Sequence, residues 1–139
     1  MTTREPIEWD EAWNTGIAAI DSDHQTVIRL INELREASAA EGREGLGRSA
    51  LKAMLDYASY HFLREEGLME DCGYPDFFTH QEKHRAFANA VRNRLALIED
   101  DPDRRIGDDF HAFLERWWVS HILQEDMAYR DCVRRGHPE

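Results

Sequence analysis

The chain has 139 residues, with 17 Lys plus Arg against 28 Asp plus Glu, a formal net charge of −11. That length suits one domain with its own core, and the negative charge repels phosphate backbones and anionic lipid heads, which argues against nucleic-acid and membrane partners. The longest apolar runs are only a few residues, and the N-terminal Met1-Thr2-Thr3-Arg4-Glu5-Pro6 lacks an apolar leader stretch, so the expectation is a cytoplasmic, monomeric protein. Cys72 and Cys132 form no C-x-x-C pair and are too few for a framework; both are expected to be plain thiols, at the ends of helices on a bundle diagonal, with a disulfide or redox switch there as the second reading.

Four prolines, at positions 6, 75, 102 and 138, punctuate long stretches whose apolar residues recur every three or four positions, which predicts helices throughout. Residues 1–20, with Trp9, Trp13, Ile17 and Ile20, read as an aperiodic arm packed over one end. A first helix is predicted from Asp21 or Ser22, with Ser22 and Gln25 as a capping box, to about Ala40, burying His24, Val27, Ile28, Ile31 and Leu34. After the break at 41–45, a second helix is predicted from about Leu46 to Asp71, with Leu51, Met54, Leu55, Ala58, His61, Phe62, Glu65, Leu68 and Met69 on one stripe. Cys72-Gly73-Tyr74-Pro75 ends it. A third begins between Asp76 and Thr79, with Thr79 and Glu82 as a second capping box, and carries His80, His84, Phe87, Ala88, Val91, Leu95 and Ile98 to a stop at Asp100. The fourth runs from about Ile106 to Val133 through Phe110, Phe113, Leu114, Trp117 and His121, followed by a tail over 134–139. Short connections between four helices favour an all-α, up-down-up-down antiparallel four-helix bundle, with residues 1–139 forming one domain whose bundle spans 21–133.

The stripes carry His24, His61, Glu65, His80, His84 and His121 where a core should be apolar. Burying an unpaired imidazole or carboxylate costs several kcal/mol. In an antiparallel bundle, the start of the first and third helices and the end of the second and fourth share one end, so these residues can converge. His61/Glu65 and His80/His84 are i, i+4 pairs, each on one helix face. Five imidazoles with carboxylates exceed a closed zinc site, are too rich in nitrogen for calcium or magnesium, and suit iron among first-row metals, while zinc or copper could occupy the same donors in vitro. His80-Gln81-Glu82-Lys83-His84 is not H-E-x-x-H, no glutamate is followed by histidine three residues later, and neither a nucleophile elbow nor a phosphate-binding glycine loop occurs. His111 and His137 are expected to be solvated.

The ordered set Trp9-Asp10, Gly16-Ile17, Ile20-Asp21-x-x-His24, His61-Phe62-x-x-Glu65-Glu66-x-x-Met69, Gly73-Tyr74-Pro75, His80-x-x-x-His84 and Trp117-x-x-x-His121-Ile122-x-x-x-Asp126 resembles the hemerythrin family, specifically its single-domain bacterial members, over about residues 9–129. The resemblance implies a pair of iron ions bridged by an oxo or hydroxo group. His80, His84 and His121 would bind one iron, His24 and His61 the other, and Glu65 and Asp126 both. One position would stay open on the two-histidine iron for dioxygen, the expected ligand. Phe62, Trp117, Trp118 and Met69 are candidates for lining a dry pocket there; Trp118 stands where the family usually has a smaller aliphatic such as Leu. Residues five apart on an ideal α-helix lie about 140° apart, so geometry alone favours Glu125 as the partner of His121. The family's spacing selects Asp126, which then requires a π-type distortion. The expected function is reversible dioxygen carriage, storage or delivery, with a separate protein recipient; oxygen, nitric oxide or redox sensing is the second reading, and an enzyme acting on peroxide or nitric oxide the third.

Overall fold

A computed structural model describes residues 7–39, 44–100 and 107–136. A single 3-10 turn at Glu11–Trp13 precedes helices α1 (Ala18–Ala39), α2 (Glu44–Cys72) and α3 (Phe77–Asp100). The fourth rod is composite: α4 (Asp108–Ser120), a π-helical turn (His121–Asp126) and α5 (Met127–Gly136). The four rods form the expected up-down bundle, with no strand among the described residues. Among the described residues no helix is long and apolar enough to cross a membrane.

Every rod reads apolar, polar, apolar along its length, and this sequence order decides where the site lies. The main core takes Val27, Ile31 and Leu34 from α1, Leu51, Met54 and Phe62 from α2, Phe87 and Val91 from α3, and Leu114 and Trp118 from α4, all buried. A smaller cluster at the other end takes Ile20, Met69, Tyr129 and Val133, with Phe77 packed against it. Between them lie His24 on α1, His61 and Glu65 on α2, His80 and His84 on α3, and His121 and Asp126 on the π turn, each at most 3 % exposed. The polar layer is thus sealed on both sides by side chains that gain about 25 cal/mol per Å² on leaving water.

The helix starts differ from both expected capping boxes. The Asp21 carboxylate reaches back to accept from Thr15 N (2.7 Å), Thr15 Oγ1 (2.8 Å) and Gly16 N (3.1 Å), while Thr15 Oγ1 accepts from Ile17 N (3.0 Å). This tied loop starts α1 at Ala18 and leaves Ser22 inside the helix. Likewise α3 is opened by Asp76, whose carbonyl accepts from His80 N at 3.0 Å, so Thr79 lies within it. The break expected over 41–45 lies partly outside the described residues, with Glu44 and Gly45 already in α2; Ile106 and His137 also fall outside. The arm runs along α1 rather than over an end: Ile7 gives its N–H to Asn32 Oδ1 and accepts from Asn32 Nδ2, both at 2.9 Å. Ile20, expected in the arm, belongs to α1.

At the other end of α2 the chain stops as expected. Gly73 adopts φ +70°, its N–H bonds Glu70 O at 3.1 Å, and Tyr74 N bonds Met69 O at 2.9 Å, a Schellman closure. A Cβ at Gly73 would meet nothing within 4 Å. Gly73→Ala is therefore expected to cost about 1–2 kcal/mol through backbone conformation alone, read as a lowered denaturation midpoint with an unchanged slope.

The cysteines correct the sequence reading. Cys72 and Cys132 form a disulfide with their Cα atoms 5.8 Å apart. The diagonal expected between α2 and the fourth rod is closed because α5 packs directly on α2, bringing two half-buried residues 60 apart in sequence into bonding range. His111 is a second correction: it is buried, at 4 % exposure, because α4 turns that face inward as well as the face carrying His121.

Candidate metal centre

All seven donors expected from the sequence meet in the polar layer, in two groups that share two carboxylates. Glu65, His80, His84, His121 and Asp126 bring one donor atom each within 4.8 Å of one another; His24, His61, Glu65 and Asp126 do the same. Asp126 Oδ1 lies 3.1 Å from His80 Nε2 and 3.0 Å from His121 Nε2, while its Oδ2 lies 2.9 Å from His24 Nε2. Glu65 Oε1 lies 2.9 Å from His61 Nε2 and 3.4 Å from His84 Nε2.

Asp126, rather than Glu125, reaches the cluster because the backbone changes pitch. In the turn His121–Asp126 the bonding step lengthens to i→i+5, ending with Met127 N on Ile122 O, so residues five apart come nearly into register. Glu125 is turned outward and ion-pairs with Lys83. The π distortion expected from the spacing is present.

The donors fit a bound cation better than they fit each other. Although the contacts are short, His24 Nε2, His61 Nε2, His80 Nε2, Glu65 Oε1 and both Asp126 oxygens make no hydrogen bond among the described residues. Nε2 of His84 and His121 also come within 3.1 Å of one another. Metal–donor bonds of about 2.1 Å at right angles place neighbouring donors about 3.0 Å apart, which is the spacing found. Imidazole with carboxylate is a donor set that suits iron.

A further layer of residues aims these donors, and sequence reasoning missed it. His61 Nδ1 donates to Asp23 Oδ2 at 2.9 Å, and Asp23 also accepts from Tyr57 OH at 3.0 Å and pairs with Arg64 Nε at 2.9 Å. His84 Nδ1 donates to Glu66 Oε2 at 2.9 Å, and Gln81 Nε2 bonds Glu66 Oε1 at 2.9 Å. Tyr129 OH donates to Glu65 Oε2 at 2.6 Å. A carboxylate on Nδ1 fixes the tautomer and leaves the Nε2 lone pair facing the centre. The only sequence signal was adjacency, Asp23 beside His24 and Glu66 beside Glu65, and it points to the wrong histidine for Asp23.

Among the protein groups alone, the imidazoles and carboxylates perturb one another. Burial would lower the His61 pKa, but Glu65 and Asp23 override it and push it up to about 10. Burial and the Asp126 charge would raise Glu65, yet His61 and His84 bring it down to about 2. Asp126 is likewise held well below the usual carboxylate range, by His121, His24 and His80 against its burial. Burial, reinforced by Glu65 and Asp126, holds Tyr129 well above its ordinary value, so it stays a donor.

The aromatic candidates lie on the main-core side. Phe62 stacks on His84 (centroids 3.9 Å, 10°) and Trp117 on His121 (4.4 Å, 12°). Trp118 is fully buried, stacked on Phe62 at 5.5 Å, with its ring 6.1 Å from His61 and 6.3 Å from His121. Met69 lies in the cluster on the opposite side of the polar layer.

A helical bundle whose interior holds two histidine-carboxylate groups with shared carboxylates defines a metal-binding bundle. Residues 15–131 match the family model described as the hemerythrin HHE cation binding domain. The chain is 32 % identical over 133 residues to the bacteriohemerythrin of Pseudomonas aeruginosa, covering 96 % of this chain and 85 % of that protein. It is 31 % identical to a hemerythrin-like protein of Naegleria gruberi, over 95 % of this chain and 98 % of that one. Among solved structures, wild-type hemerythrin superposes with a TM-score of 0.84 at 26 % identity, over 91 % of this chain and 97 % of that one. The chain belongs to the hemerythrin family, and its likeness is to the single-domain bacteriohemerythrins, as the sequence motifs implied.

Proposed function

We propose that this protein binds dioxygen reversibly at a di-iron centre, for carriage, storage or delivery. His80, His84 and His121 would hold one iron and His24 and His61 the other, with Glu65 and Asp126 available to both. The observation that carries the reading is the unequal division of five imidazoles, three against two, around two shared carboxylates. When bound, the iron pair would supply reversible two-electron chemistry toward a small diatomic ligand.

The chain's residues do the rest. Asp23 and Glu66 hold the rings of His61 and His84 in one tautomer, and Tyr129 pins Glu65. Phe62 and Trp118, each with its ring 6.1 Å from His61, exclude water from the two-histidine side, and Trp117 covers His121 of the other group, which favours release of the ligand unchanged. Histidine-rich ligation, with only two carboxylates in the donor set, gives less support to high-valent iron than a carboxylate-rich site, so we read a binding protein rather than an enzyme. The reading includes a cytoplasmic monomer kept soluble by its net charge of −11. Sensing of oxygen, nitric oxide or redox state would use the same centre, and the disulfide at its rim favours that second reading.

The test is a visible spectrum of the iron-loaded, reduced protein followed through admission and removal of oxygen. A band that appears in air and vanishes on deoxygenation over repeated cycles supports binding; irreversible oxidation on first exposure contradicts it. Trp118→Leu is expected to shorten the life of the oxygenated form by opening the pocket to water, while costing less stability than the roughly 3–5 kcal/mol of a truncation to Ala. Decay rates equal to those of the parent would remove Trp118 from the pocket.

A further inference from the structure

The Cys72–Cys132 bond lies close to the donor layer on both of the helices it joins. Cys132 is one turn beyond Tyr129, whose hydroxyl holds Glu65 Oε2, and Cys72 is two turns beyond Glu65 on α2. Met69, Tyr129 and Val133 pack together beside the bridge, with Cys72 against them. The helix it anchors is short: α5 has 10 residues and is entered through the π turn that ends in Asp126. The terminal segment of a helical rod opens locally more easily than its interior. Both cysteines are partly exposed, a Cβ at neighbouring Gly73 would meet nothing within 4 Å, and an open concavity of about 510 Å³ lined by Met69, Glu70, Gly73, Tyr74, Phe77 and Phe78 adjoins that glycine.

We propose that Cys72–Cys132 is a reducible bridge, a substrate for dithiol reductants, whose state sets how firmly α5 holds Tyr129 on Glu65 and thereby how fast the centre gives up its metal. The metal half of this rests on the di-iron reading above. In the exchange a thiolate of the dithiol attacks one bridge sulfur, the S–S bond breaks, and the departing cysteine takes up a proton. The second thiol of the reductant then closes on the mixed disulfide and frees the other cysteine. Two electrons and two protons pass from dithiol to bridge, and none to the metal. Disulfides in reducing compartments are mostly transient and redox-sensing, and in the location we propose this bridge is of that kind. With the bridge open, local release of α5 becomes easier, and it carries away the Tyr129 hydrogen bond and loosens Asp126.

The experiment uses the full chain, loaded with ferrous iron anaerobically so that only the bridge can be reduced, then treated with dithiothreitol and desalted. Iron content of the untreated protein is measured first and tests the di-iron reading by itself. Thiols are counted by alkylation and mass, amide exchange is followed by segment, and iron release into a chelator is timed. The expected result is reduction without denaturant, amide exchange in Met127–Gly136 faster by roughly tenfold or more with Phe87–Ile98 unchanged, and iron release faster by roughly tenfold. A Cys72→Ser/Cys132→Ser variant should match the reduced protein, its α3 exchange reporting that it is folded. In Tyr129→Phe, iron release is fast already, and reduction adds less than in the parent. A bridge that opens only when the chain unfolds, unchanged α5 exchange, or unchanged iron release after complete reduction overturns the proposal. The exchange measurement, repeated on metal-free protein, decides the bridge even where the iron count goes against the centre.

Discussion

Asp126→Ala is expected to reduce retained iron from two per chain to none, whereas Glu125→Ala should keep both. Asp126 is fully buried and presents one oxygen to His80 and His121 and the other to His24. Glu125 could not replace it, because its position has the phase of an ideal α-helix and the backbone here does not. Glu125 instead pairs with Lys83 near the surface, where an ion pair contributes little. The measurement is iron per chain after exhaustive dialysis, with the circular dichroism of both metal-free variants as the check on folding. Retention of both irons by Asp126→Ala, or loss of both by Glu125→Ala, would contradict the role given to the π turn.

The second large effect is expected at a residue that need not touch the metal. Asp23 is 4 % exposed and accepts the Nδ1 proton of His61. Its removal frees the imidazole to rotate and to change tautomer, and leaves Tyr57 and Arg64 without their shared acceptor. Losing such a partner typically weakens metal affinity by about 10–100-fold. Release of iron from Asp23→Ala should therefore become biphasic, the His24/His61 iron leaving first and the other at close to the parental rate. Asp23→Asn, which keeps an acceptor but not the charge, should fall between. Glu66→Ala should act on the other iron and more weakly, since the Glu66 side chain is 16 % exposed and water can replace it. A single parental phase in Asp23→Ala would show that His61 is positioned by packing alone.

The polar layer was legible because periodicity fixes helix faces and short connections fix helix directions. His24, His61, Glu65, His80, His84 and His121 sit on predicted buried stripes near one bundle end, and those two facts suffice to bring them together. Asp126 required more, since the period of an α-helix excludes it and only the spacing of a known family pointed to the π turn. What the sequence hid were relations set by distances between helices. Asp23 neighbours His24 in the chain but serves His61 across the interface, and Tyr129 lies on the fourth rod while its partner Glu65 lies on the second. The Cys72–Cys132 bond depends on α5 leaning onto α2, which a square bundle does not do. α1 starts at Ala18, before its predicted capping box, because Asp21 works backward on Thr15 and Gly16, a contact outside any capping template. The phase of His111 relative to His121 alone predicts a solvated side chain, whereas a helix in a bundle buries more than one face.

The central claim is that these seven side chains hold two iron ions. It is tested most directly by the iron content and X-ray absorption of the purified, iron-reconstituted chain. The account predicts two irons per chain, each with a nitrogen-rich shell at about 2.1 Å and an iron neighbour at about 3.5–4 Å or closer. One iron per chain, or two without a metal neighbour, would contradict it.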